Sequence, residues 1–97
     1  SLIDNNQPIA TDFWIGIESL ILTYYPQFKD TLLEICSLNE KEYKLYILLK
    51  AEFTPTEISK ILCSSKENVS SMRRRLYTKF FKKAGKPKDF DDFIVKL

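Results

Sequence analysis

Thr54-Pro55-Thr56-Glu57-Ile58-Ser59-Lys60-Ile61-Leu62-Cys63-Ser64-Ser65-Lys66-Glu67-Asn68-Val69 is the stretch on which the fold turns. Thr54 fits a helix N-cap, Pro55 the first helical residue, and Glu57 the third, closing a capping box with the threonine. The short helix so opened turns Ile58, Ile61 and Leu62 inward. Ser64-Ser65 then breaks it, and one of these serines caps a longer helix running from Lys66 to about Lys83, where Gly85 and Pro87 stop it.

Two helices with so short a break between them read as a helix-turn-helix over about Thr54 to Phe81. Ile58-Ser59 supplies a branched residue followed by a small one, which lets the second helix approach closely. Val69, Met72 and Leu76 face back from that helix, and the step from Ile58 to Val69 suits a turn of about three or four residues. At about 100° per residue, Leu76, Phe80 and Met72 fall within about 60° of Val69. The opposite face carries Glu67, Ser71, Arg74 and Thr78, with Ser70 and Arg75 on its flanks.

Upstream, Asn39 before Glu40-Lys41-Glu42 marks another helix start, with Leu45, Leu48 and Leu49 as its buried stripe. Thr11 or Asp12 is expected to cap a first helix carrying Phe13, Trp14, Ile17, Leu20, Ile21 and Tyr24 on one apolar face. Pro26 ends it or opens a second helix with Phe28, Leu32, Leu33 and Ile35. Residues 1–9 read as a polar lead-in, and Pro87 to Leu97 as a last helix with Phe90, Phe93, Ile94 and Leu97 on one side. The class expected is all-α, a helix-turn-helix bundle with two extra N-terminal helices. Its organisation is 1–37 as a helical extension packed on a domain at 38–97, forming one unit.

Charge is distributed unevenly. The net +2 divides into −4 over residues 1–65, +8 over 66–88 and −2 over 89–97. A basic block between acidic flanks calls for a polyanion. The absence of histidine removes imidazole acid-base chemistry, and two cysteines fall short of a zinc site. Two glycines form no phosphate-cradling loop, so neither an enzyme nor a cofactor is expected. Cys36 and Cys63 read as small core residues of a reducing, cytoplasmic compartment. No run is long enough to span a membrane. The chain opens without methionine and is expected to belong to a longer protein.

Double-stranded DNA is the expected partner, with the helix at about 65–83 in the major groove. Arg74 points outward toward the bases, where a guanidinium bonds guanine bidentately. Arg75 is lateral and suits a phosphate, as does Lys66 beside the exposed N–H groups of the helix start. Thr78, Lys79 and Lys82 carry backbone contact further along the helix. Arg73 lies near the core edge and must reach a phosphate or an acid such as Glu42 or Glu57. The alternative is a protein-interaction or dimerisation module on the same scaffold that leaves DNA alone, with Phe13 and Trp14 as its anchors.

From Leu38 on, the residues align without a gap on the LuxR-type (GerE-like) helix-turn-helix, of the winged-helix-like superfamily. Leu38-Asn39-Glu40-Lys41-Glu42 resembles its Leu-Thr-x-x-Glu, Glu57-Ile58-Ser59 its Glu-Ile-Ala, and Leu62 the leucine that follows. Ser65-Lys66-Glu67-Asn68-Val69 is similar to its Ser-x-x-Thr-Val, and Lys79-Phe80 to its Lys-Leu. Met72, Asn68 and Glu52 depart from the pattern, Glu52 standing where glycine is usual. Phe13-Trp14, Tyr25-Pro26-Gln27-Phe28, Arg75-Leu76-Tyr77-Thr78-Lys79 and Phe90-Asp91-Asp92-Phe93-Ile94 resemble C-terminal output domains of Bacteroidetes transcriptional regulators. That resemblance implies Ser70, Ser71 and Arg74 as groove-facing residues, and a homodimer on DNA is expected because one short helix reads few base pairs. The resemblance also implies an upstream sensor or repeat region in a parent chain with a membrane anchor.

Overall fold

The structure is a computed structural model that describes residues 11–37 and 39–97. The expected lead-in over 1–9 and the Leu38 position lie outside those residues. Six helices follow one another, with no strand among the described residues. They are α1 (Thr11–Tyr24), α2 (Phe28–Ile35), α3 (Glu40–Lys50), α4 (Pro55–Ile61), α5 (Lys66–Phe81) and α6 (Pro87–Lys96). The all-α class is therefore as expected.

Local signals set most of the helix starts. The Thr54 hydroxyl accepts from the Glu57 N–H at 3.2 Å, while the Glu57 carboxylate accepts from the Thr54 N–H at 2.8 Å. The Asn39 side chain accepts from the Glu42 N–H, and the Ser65 hydroxyl from the Asn68 N–H. Each bond satisfies a donor that the first helical turn leaves without a partner. Thr11 and Asp12, expected as caps, instead lie within the first turn of α1. There the Asp12 carboxylate faces the positive end of the helix dipole.

The helix ends are closed by left-handed residues that are not glycine. α5 ends at Phe81, near the expected Lys83, and its cap Lys82 has a φ of 58°. Glu52 and Cys63 also adopt left-handed backbone, with φ of 63° and 52°. Around Glu52, its N–H donates to the Leu49 carbonyl and the Phe53 N–H to that of Leu48. Around Cys63, the Cys63 and Ser64 N–H groups reach Lys60 and Ser59 in the same way. Both are Schellman closures, in which glycine is the usual left-handed residue. With two glycines in the chain, side chains occupy these positions at a cost of about 1–2 kcal/mol each.

All six helices feed one apolar cluster. α3 is its axis: Leu45 to Lys50 are buried consecutively, because α1 packs on one side and α6 on another. α4 buries Ile58 and Ile61, α5 buries Val69, Met72 and Leu76, and α6 buries Phe90 and Ile94. Ser59 is buried too, its hydroxyl donating to the Thr56 carbonyl at 2.8 Å, as the close approach of α4 and α5 requires. Tyr46, Phe80, Phe90 and Phe93 pack as tilted and edge-on rings at the meeting of α3, α5 and α6.

Four residues placed in the core by periodicity are on the surface: Leu20, Tyr24, Leu33 and Ile35. α1 is apolar on nearly every side, so spacing alone does not choose a face. The cysteines also depart from a core role. Cys63 is exposed at its left-handed turn, and Cys36 is half-buried.

Gly85 marks a close approach between the α5–α6 connection and α5. A Cβ there would meet the Tyr77 ring at 2.3 Å. Gly85→Ala is expected to displace that ring and to destabilise the fold by roughly 1–3 kcal/mol, the usual scale of overpacking. Denaturant titration measures this as a lowered midpoint with an unchanged slope.

Candidate nucleic-acid interface

The candidate surface is built on α5, which the capped α4 holds from one side and α6 from another. Lys66 is its first residue, beside the unpaired N–H groups of the first turn. Lys66, Glu67, Ser70, Ser71 and Arg74 line one shallow depression open to solvent. The three candidate base readers, Ser70, Ser71 and Arg74, are thus brought together and joined by one candidate phosphate contact, Lys66. Ser70 is half-buried, while Ser71 and Arg74 are exposed. The Arg74 Nη2 donates to the Ser71 hydroxyl at 3.3 Å, a long bond that leaves the guanidinium free to turn outward.

The other candidate phosphate contacts do not gather there. Arg75 and Thr78 are exposed further along α5. Lys79 and Lys82 border a second depression with Ile35, Cys36 and Ser37, at the end of α2. The positive strip therefore has two parts, one at the start of α5 and one where its end meets α2. Sequence reasoning left out Lys60, exposed on α4 beside Ser59, Cys63 and Ser64 at the α4–α5 turn. Its outward position on a helix whose inner residues are Ile58 and Ile61 is the signal that marks it.

Arg73 is settled differently from its neighbours. Only 4% of it is exposed, and its Nε donates to Asp91 Oδ1 at 2.8 Å while Nη2 donates to Oδ2. Asp91 sits on α6, so the expected acids Glu42 and Glu57 are not its partners. The planar fork meets the carboxylate bidentately and ties α5 to α6. Among the described residues, the ion pairs of the basic block are Arg73–Asp91 and Lys88–Asp92. Lys66, Arg74, Arg75, Lys79 and Lys82 keep their charge available, so a surface of mostly free cations remains once Arg73 is removed from it. Glu67 is the acid within the reading depression.

Between α1, α3 and the end of α4, Trp14, Glu40, Lys41, Lys44, Ile61, Leu62 and Cys63 line a larger groove of about 430 Å³. Trp14 is half-buried, stacks edge-on with Phe13 and lies 5.0 Å beneath the Lys44 ammonium. Phe13 is half-buried against the core as well. These two aromatic residues are therefore largely used in packing. Among the described residues, no helix is long and apolar enough to cross a membrane.

No protein-family model matches the chain, no curated protein matches its sequence, and no solved structure matches its fold.

Proposed function

We propose that the chain is a sequence-specific double-stranded DNA-binding domain, the output end of a cytoplasmic bacterial regulator, with α4 and α5 as its helix-turn-helix. The observation that carries this reading is the depression at the start of α5. Short hydroxyls at Ser70 and Ser71, a free guanidinium at Arg74 and a lysine at the helix start share one exposed surface. Short side chains admit a base edge closely, and an arginine between them is suited to guanine. Lys66 and the first-turn N–H groups suit a phosphate at the same end. Arg75, Thr78, Lys79 and Lys82 then neutralise backbone further along, which adds affinity without sequence information. The likeness to the LuxR-type pattern supports the same assignment, as does the polarity of the chain. Function as a homodimer suits it, because one short helix reads few base pairs.

The test begins with duplexes selected from a random library and measures affinity by fluorescence anisotropy over a range of salt. Arg74→Ala is expected to weaken the selected duplex by roughly 1–3 kcal/mol and to shrink its advantage over random duplex by about the same amount. Lys66→Ala is expected to weaken both duplexes alike and to lower the salt slope by about one. Equal discrimination before and after Arg74→Ala removes the base-reading role. Absence of any salt-sensitive binding leaves the protein-interaction reading, for which the exposed apolar side chains Ile15, Leu20 and Tyr24 of α1 are the favourable observation.

A further inference from the structure

We propose that Glu67 reads a cytosine in the major groove, a few base pairs from the guanine that suits Arg74; the inference rests on the DNA-binding reading of α5. Glu67 is the only acid among residues 66–88, which carry nine Lys or Arg. A carboxylate there opposes every phosphate that the basic block attracts, so it lowers affinity for any duplex. Nothing local claims it. Among the described residues the ion pairs are Lys29–Glu18, Lys44–Glu40, Arg73–Asp91 and Lys88–Asp92, and Glu67 belongs to none of them. The cap of α5 is the Ser65 hydroxyl, which accepts from the Asn68 N–H, so the cap does not employ Glu67 either.

Its position decides what such an acid can do. Glu67 is the second residue of α5, is exposed, and shares the depression with Lys66, Ser70, Ser71 and Arg74. At about 100° per residue it stands about 160° from the buried Val69, on the ridge farthest from the core. Arg74, two turns on, lies within about 20° of the same line, with Ser70 and Ser71 between them on either side. Lys66 is turned about 100° away, toward a flank that meets backbone. A recognition helix touches base edges chiefly with its N-terminal residues, so the outermost side chain of the first turn is well placed for one. Seven residues span about 10 Å of helix, or about three base-pair steps where the helix follows the groove.

Chemistry selects the base. An ionised carboxylate only accepts hydrogen bonds. In the major groove guanine shows it two acceptors, thymine an acceptor and a methyl group, and adenine an acceptor beside its amino group. Cytosine presents an amino donor with no acceptor of its own. The carboxylate is therefore opposed by the phosphates and by the acceptors of the other three bases, and is bound at cytosine. Affinity lost on every duplex and regained at one base widens the gap between right and wrong sites. The first turn also favours a carboxylate through the helix dipole, a contribution to folding that no base sequence alters.

The experiment selects duplexes from a random library with the parent chain, with Glu67→Gln and with Glu67→Ala, and then measures anisotropy on the selected duplex and its single-base-pair variants. The parent motif is expected to hold a cytosine about three base pairs from the guanine whose preference Arg74→Ala removes. Replacing that cytosine should weaken the parent about tenfold. Glu67→Gln should move the preference to adenine, whose N6 and N7 an amide meets bidentately. Glu67→Ala should erase the preference and tighten random duplex several-fold, with the circular dichroism spectrum unchanged. A motif with an Arg74-dependent guanine that both Glu67 variants select unaltered overturns the role, and so does any base but cytosine at the position they change. Variants that alter thermal stability alone leave Glu67 to the helix dipole, which overturns it equally. A parent that selects no motif removes the DNA-binding reading itself, and the role of Glu67 with it.

Discussion

Replacing Asp91 with alanine will lower folding stability by about 3 kcal/mol, the lower end of what breaking a buried ion pair costs. The loss comes mainly from the arginine left behind. Arg73 has 5% of its side chain exposed, so once its carboxylate is gone the guanidinium has little water to replace it. Asp91 itself retains 20% side-chain exposure, and water entering there limits the damage. For a domain of this size the loss corresponds to a thermal midpoint lowered by roughly 12–24 °C. Arg73→Met combined with Asp91→Leu should restore most of that stability, since apolar pairs of similar volume often equal a buried ion pair. The double-mutant cycle, read by denaturant titration, isolates the coupling. It also tests how the arginine triplet divides. The Arg73→Met, Asp91→Leu protein, once stable, should bind duplex with nearly the affinity of the parent, whereas Arg74→Ala should not. A stable double variant that has lost DNA affinity would return Arg73 to the contact surface.

Arg73 also illustrates what one-dimensional reading reaches. Helical angle alone puts it near the core edge, apart from Arg74 and Arg75, and that is where it lies. Its partner was out of reach, because Asp91 is eighteen positions on and arrives only when α6 folds back across α5. The capping residues Thr54, Asn39 and Ser65 were readable because each acts within three residues of itself. The inner face of α5 was readable because its polar and apolar residues segregate. α1 resisted the same treatment: Leu20 and Tyr24 satisfy its spacing as well as Ile17 and Ile21 do. The end of α5 was legible to within about two residues, but its left-handed cap was not, because that residue is Lys82 while Gly85 serves to admit the Tyr77 ring. At the candidate site, Ser71 and Arg74 follow from angle, and Ser70 and Lys66 join them in space. The separation of Lys79 and Lys82 depends on where α2 ends, which no local pattern records.

Alkali should destabilise the domain progressively above pH 10, and the tyrosines Tyr43 and Tyr46 are the cause. Burial holds the Tyr43 phenol well above its ordinary 10.0, aided by its hydrogen bond to Glu18 and by that carboxylate's charge. Burial does the same for Tyr46, with the nearby Cys36 and Glu42 adding to it. A folded-state value raised above the unfolded one gives stability that is complete below pH 10 and lost as pH rises beyond it. Each such group removes up to about 1.4 kcal/mol per pH unit, so the pair removes up to about 2.7. Two further groups act lower down and oppose each other. Burial raises the Cys36 thiol above 9.0, so stability falls from there. Burial lowers the Lys50 ammonium below 10.5, so stability rises with pH until 10.5 is passed. Lys50 stays in place through its bond to the Val95 carbonyl at 2.7 Å and through the Tyr25 ring 4.1 Å away. The two contributions are opposite in sign, and the two tyrosines add the fall above pH 10. Tyrosinate absorbance and circular dichroism, followed together through the titration, check this. Two of the five tyrosines should ionise only as the helices melt. Tyr43→Phe should halve the steepness above pH 10. Tyr46→Phe should do likewise at little or no cost near neutrality, because its buried hydroxyl has no hydrogen-bond partner among the described residues. If all five tyrosines ionise together near pH 10 while the helices persist, the buried phenols do not control alkaline stability.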